Sequence, residues 1–317
     1  MKKFLISIDT EGDNLWNWHK GETIYTENAK YLGRFQNICE EYGFKPTYLT
    51  NYEMAMSEDY QKFIKPCVKR NTAEIGMHLH AWNTPPEFTL SDTADNPGAP
   101  YLIEYPVEIM EKKINFMTSL LESIFETEVI THRAGRWATN QVYFSLLAKY
   151  GYKVDCSVTP HMDWTKNSGE TKGSGGTNYT DFVEYPYIIS TDNGDVFEIP
   201  VTVRKSHGLF TPPRKAIKSS LGSLARAIGG QYLWLRPNGY NLEEMLWLID
   251  QVAKDGKTDY IMFMLHSSEF MPGGSPTFKS GESIEHLYSD INTVFESASK
   301  YFEGSTIGDY GRNAFNI

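Results

Sequence analysis

Glu74-Ile75-Gly76-Met77-His78-Leu79-His80-Ala81-Trp82-Asn83-Thr84-Pro85-Pro86 is an apolar run that carries two histidines one residue apart and stops at an Asn-Thr-Pro-Pro turn. On extended backbone, successive side chains alternate faces. The stretch therefore predicts a strand over 73–79 with His78 and His80 on one side, where a single metal ion can hold both. Most His-x-His pairs in soluble proteins are not metal sites, so the rest of the chain has to decide.

Upstream, Lys3 to Ile8 is a short apolar run of the kind that forms a buried parallel strand, and it runs into Asp9-Thr10-Glu11-Gly12-Asp13. Asp9 and Glu11 are two apart and face the same way on extended backbone. Downstream, strand-like runs end in His132-Arg133 and in Leu265-His266-Ser267-Ser268-Glu269. Helical periodicity predicts helices over 27–42, 60–70 with a break at Pro66, 107–125, 140–150, 214–228, 242–253 and 284–302. Further strands are expected over 45–50, 153–158, 196–201 and 232–237. The alternation of β and α runs through the chain without a repeat or an evident linker. It predicts a single-domain α/β barrel over 1–317, with long loops at 84–106 and 159–180. The chemistry-bearing residues all follow apolar strands, where such barrels place their active sites.

The 317 residues carry a net charge of −10 and no lysine- or arginine-rich run, which argues against a nucleic-acid partner. The apolar runs are too short for a membrane span, and the start lacks the apolar core of a signal peptide, so a cytoplasmic enzyme is expected. Three widely spaced cysteines, Cys39, Cys67 and Cys156, fit reduced thiols. Aromatic residues make up 14% of the chain, enough for some to line a carbohydrate cleft as well as fill a core. The Gly173-Ser174-Gly175-Gly176 run lacks the Gly-Lys-Ser/Thr ending of a phosphate loop and reads as a flexible loop.

The ordered motifs resemble the NodB-type polysaccharide deacetylases, carbohydrate esterase family 4. Ser7-Ile8-Asp9-Thr10-Glu11-Gly12 looks like the first motif, Glu74 to His78 the second, and His132-Arg133-Ala134-Gly135-Arg136-Trp137 the third. Asp155 to Val158 with Asp163-Trp164 is similar to the fourth, and Met264-Leu265-His266 to the last. Two departures stand out. Trp82 occupies the place of the family's second histidine, and Asp-Thr-Glu replaces an Asp-Asp pair.

The resemblance implies a distorted, seven-stranded (β/α) barrel that removes an N-acetyl group from an amino sugar, using one divalent ion (zinc, with cobalt, manganese or nickel as substitutes). Glu11 and His78 are the implied metal ligands, joined by His80 on the same-face geometry of the strand rather than on the family pattern, with positions left open for water and substrate. Asp9 is the implied general base, His266 the general acid, and Arg133 the residue that holds Asp9 ionised. Asp155 would orient His266. Trp82, Arg136, Trp137, Asp155, His161 and Trp164 are the expected substrate contacts, the tryptophans as stacking walls for sugar rings. The expected partner is a carbohydrate or sugar conjugate. Two rival readings remain: an allantoinase-like or other amide hydrolase on the same barrel, and a catalytically silent carbohydrate-binding protein.

Overall fold

A computed structural model describes residues 1–315 apart from 14, 16, 17, 20, 91–100, 168, 170, 172–174 and 207–230. In chain order the elements are β1 (Lys2–Thr10), α1 (Leu32–Glu41), β2 (Pro46–Thr50), α2 (Tyr52–Met56), α3 (Glu58–Lys69), β3 (Glu74–Leu79), α4 (Val107–Phe125), β4 (Thr131–Ala134), α5 (Gln141–Lys149) and β5 (Val154–Asp155). There follow β6 (Tyr187–Thr191), β7 (Gly194–Glu198), β8 (Val203–Ser206), β9 (Gln231–Trp234), α6 (Leu242–Lys254), β10 (Tyr260–His266), α7 (Gly281–Ser299), β11 (Phe302–Gly304) and α8 (Ile307–Phe315).

The main sheet runs β10-β1-β2-β3-β4-β5-β7-β6, with β11 paired to β1, and curls into a half-barrel. Every pairing in it is parallel except β6 with β7. The parallel path has seven strands, and the antiparallel β6 and the short β11 add to it, so the expected count of seven is exceeded. β8 and β9 form a separate antiparallel ribbon.

Helices cover one face of the sheet and leave the other concave. Along β1, Phe4, Ile6 and Ile8 join the large core shared with the helices, while Leu5 joins the core of the concave side. Period-two alternation then puts Ser7 and Asp9 on the concave side with Leu5. In β3, Ile75, Met77 and Leu79 pack on the helices, which turns Gly76 and His78 inward. Burial on both faces explains why these strands read as continuous apolar runs.

Some local expectations change. Pro66 sits inside an unbroken α3, since it removes only one bond from the last turns of that helix. The last predicted helix ends at Ser299, because residues 302–304 pair with β1 as β11. α8 was not anticipated; Ile307 and Tyr310 plug the concave side beside Leu5, Val154 and Tyr260. The helix expected over 214–228 lies outside the described residues. Among the described residues, no helix is long and apolar enough to cross a membrane.

Candidate metal centre and catalytic groups

Parallel pairing brings the strand ends into register: Asp9 lies opposite His266 across β1 and β10, and His78 opposite Arg133 across β3 and β4. Glu11, just past β1, is fixed through its backbone. Its N–H donates to Ser267 Oγ at 3.0 Å, and its carbonyl accepts from Ser267 Oγ and Asn28 Nδ2. The Glu11 side chain turns to the histidines, with Oε2 at 2.8 Å from His80 Nε2 and 3.5 Å from His78 Nε2. One ligand atom from each of the three buried residues lies within 4.8 Å of the others.

His78 Nδ1 lies 3.0 Å from the Arg133 carbonyl, to which it donates, so Nε2 keeps its lone pair for a metal. His80 Nδ1 is buried without a hydrogen bond, and the ring stands edge-on to Trp82 with centroids 4.2 Å apart. Beside the trio, the fully buried Arg133 donates to Asp9 Oδ1 at 2.5 Å, to Ser7 Oγ at 3.0 Å and to the Cys156 carbonyl at 3.0 Å. His266 closes the group: its Nε2 lies 3.8 Å from Asp9 Oδ2 and 3.7 Å from Glu11 Oε1.

The charges fit a cation site. Burial pushes the Asp9 carboxyl up, but the Arg133 guanidinium, with His78 and His266, holds it below its ordinary value. Burial acts against Glu11 too, and His266, His78 and His80 together hold it well below the carboxylate range. Burial holds His80 below its ordinary value, in the neutral form a metal needs. For His78 burial is outweighed by Asp9 and Glu11, which raise its pKa; a bound cation would reverse that pull. One carboxylate and two imidazoles, all buried and convergent, are a donor set suited to a divalent transition metal.

No family model matches the sequence, and no curated protein matches it. Solved structures do match. A candidate polysaccharide deacetylase from Mycobacterium smegmatis superposes with a TM-score of 0.54 at 14% identity, over 98% of this chain and 90% of that one. Puue allantoinase gives 0.52 at 11%, over 99% and 90%. A 4-alpha-glucanotransferase from Thermococcus litoralis gives 0.56 at 12%, over 98% of this chain but 40% of that one. At such identities the likeness is one of fold. The fold is of the polysaccharide deacetylase type.

On this deacetylase-type fold the other predicted residues are spread more widely. Trp137 lies under the Arg133 guanidinium, 4.8 Å from ring centroid to Cζ, and so borders the Asp9–Arg133 pair. Arg136, at φ +57°, lies over the Tyr101 ring, 4.2 Å from Cζ to ring centroid. Trp164 donates to Thr159 Oγ1, while His161 pairs with Glu184 at 2.8 Å and stacks on Tyr232. Asp155 needs correction as the orienter of His266. Val154 and Cys156 face the concave side, so Asp155 faces the helix layer, where it accepts from Ser157 Oγ at 2.6 Å and lies 3.3 Å from His132 Nδ1.

Glu269 and Arg236 instead lie against Nδ1 of His266. Glu269 had a visible signal, a carboxylate three residues after His266 in the turn that ends β10. Arg236, beyond β9 and thirty residues upstream, had none.

Proposed function

We propose that the protein is a metal-dependent hydrolase that removes an N-acetyl group from an amino sugar in a polysaccharide or its biosynthetic intermediate, with zinc as the resident ion. The convergence of Glu11, His78 and His80 beside the Asp9–Arg133 pair and His266 carries the reading. Glu11, His78 and His80 would hold a divalent ion, which when bound would supply Lewis-acid polarisation and lower the pKa of a water.

The chain's own groups account for the proton transfers. Asp9, tied at Oδ1 by Arg133, keeps Oδ2 toward His266 and the reacting centre and takes the proton of the attacking water. Arg133 holds that carboxylate ionised and in place. His266, across from Asp9, gives a proton to the departing amine through Nε2. Trp82 and Trp137, beside His80 and Arg133, supply aromatic faces at the edge of the centre for a sugar ring. Metal-binding trio, base, and acid thus lie within reach of one acyl group.

The test is acetate release from a panel of N-acetyl sugars, free and oligomeric, by zinc-loaded protein, with allantoin and simple amides as further arms. Acetate release confined to the sugars is expected, and chelation should abolish it. Turnover confined to allantoin or to non-sugar amides would replace the reading with the cyclic-amide one. Carbohydrate binding without turnover or stoichiometric metal would leave a binding protein.

A further inference from the structure

β1 ends at Thr10, whose carbonyl accepts the Asn51 N–H at 3.0 Å and so extends the pairing with β2 by one bond. Glu11, the carboxylate of the metal-binding trio, comes one residue later, off the strand. A side chain is aimed only as well as its backbone is held, and side chains take over there from the sheet. Ser267 Oγ accepts the Glu11 N–H at 3.0 Å and donates to the Glu11 carbonyl at 3.1 Å. Asn28 Nδ2 donates to the same carbonyl at 2.8 Å. Asn28 and Ser267 are both fully buried.

Asn28 is itself held by Asp13, the third acid of Asp9-Thr10-Glu11-Gly12-Asp13 and the one with no part in the chemistry above. Asp13 Oδ1 accepts from the Asn28 backbone N–H at 2.9 Å and from Asn28 Nδ2, and Oδ2 accepts from the Glu27 N–H at 2.8 Å. The Asp13 N–H donates to the Tyr25 carbonyl at 3.0 Å, which lays residues 11–13 alongside 24–28. Gly12 permits that approach, since a Cβ there would meet Ile24 Cγ2 at 2.1 Å.

The Asn28 amide has one workable orientation. Two acceptors face Nδ2, and a turned-over amide would set Oδ1 against both. Oδ1 is buried without a hydrogen bond. The fold thus leaves one buried acceptor unsatisfied, a cost, and keeps both Nδ2 hydrogens on Glu11 and Asp13.

We propose that Asp13, Asn28 and Ser267 are positioning residues for the metal centre: Asp13 sets Asn28, and Asn28 and Ser267 grip the Glu11 backbone so that its carboxylate meets His78 and His80. The inference rests on the metal-dependent reading above and not on the identity of the substrate. Ser267 directly follows His266, so the same grip ties the end of β10 to the metal-binding residue. A donor in place only part of the time weakens binding in proportion to that fraction.

The experiment measures the zinc Kd of the full chain by chelator competition, with the absorption spectrum of the cobalt-substituted protein and the Tm of the metal-free protein. The variants are Asn28→Ala, Ser267→Ala, Asp13→Ala and the double variant Asp13→Ala/Asn28→Ala, with folding checked by far-ultraviolet circular dichroism. Asn28→Ala and Ser267→Ala should each weaken zinc binding about 10–100-fold and alter the cobalt bands. Asp13→Ala should weaken it too, and the double variant should bind within about twofold of Asn28→Ala, because Asp13 acts through Asn28.

A lower Tm with zinc Kd within about twofold of wild type and unchanged cobalt bands marks a merely structural role and would overturn the proposal. Additive losses from Asp13→Ala and Asn28→Ala would remove Asp13 from it. Ser267→Ala deletes a single oxygen, so it decides the matter if Asn28→Ala does not fold. Wild-type protein that binds no zinc would overturn the metal reading and the grip together, whereas failure on every N-acetyl sugar with these zinc results intact would overturn only the substrate.

Discussion

The Asp9–Arg133 pair makes the sharpest quantitative prediction. Arg133 is 0% exposed and Asp9 2% exposed, so neither charge has water to fall back on. Arg133→Met keeps much of the side-chain volume and removes the charge. It strands the Asp9 carboxylate and takes donors from Ser7 Oγ and the Cys156 carbonyl. Breaking a buried pair by removing one partner costs about 3–5 kcal/mol. The two further lost hydrogen bonds, at ~1 kcal/mol each, place the value toward the upper end. For a chain of this length that corresponds to a fall in Tm of roughly 5–8 °C.

The pH dependence has a definite sign. In the wild type the Asp9 pKa is held below its ordinary value of 3.8, so the pair's stabilisation is present above that pH and fades as pH falls through the folded-state pKa. In Arg133→Met burial opposes the charge with only His78 and His266 left to offset it, and the folded-state pKa rises. The native variant then binds an extra proton, and its deficit should grow as pH rises from about 4 to 7. Urea titrations of both proteins across that range measure it. In the double variant Asp9→Asn/Arg133→Met no charge is stranded, and about 2 kcal/mol or more should return. An Arg133→Met cost below about 1 kcal/mol, or a double variant no more stable than the single, would refute the reasoning.

His78→Ala or Glu11→Gln should lower bound zinc from about one per chain to near zero by elemental analysis, with the far-ultraviolet circular dichroism unchanged, because each removes one of three protein donors. Gly135→Ala should cost ~1–3 kcal/mol and weaken zinc binding in a chelator competition. A Cβ there would meet the Leu79 carbonyl at 2.5 Å and press on His80 Cα, shifting the segment that carries both histidines. Lys113, on α4, donates to the Thr84 and Pro86 carbonyls just past that segment, and burial lowers its pKa from 10.5 to about 8. Because the folded-state value is the lower one, the cost of the buried charge holds below about pH 8 and is relieved as pH rises toward 10.5. Wild-type stability should therefore gain on Lys113→Met across that window, and parallel stability curves would exclude the effect.

The sequence by itself determined where the chemistry sits along the chain. Asp9, Glu11, His78, His80, Arg133 and His266 each follow an apolar strand, and parallel pairing necessarily gathers such strand ends at one edge of the sheet. Local rules also give the relative facing of residues two apart, which pairs His78 with His80 and Asp9 with Glu11; joining Glu11 to the two histidines took the family resemblance as well.

Only the tertiary structure decided which face of each strand points inward. Residues 153–158 alternate, apolar at Val154, Cys156 and Val158 and polar between, and nothing local says which set faces the concave side. α8 settles it. Ile307 and Tyr310 fill that side against Val154, so Asp155 is turned to the helix layer and His132 rather than to His266. The partners of His266 were likewise set by contact through space. Arg236 comes from beyond β9 to meet the turn after β10, and only the packed half-barrel brings a guanidinium thirty residues away onto that imidazole.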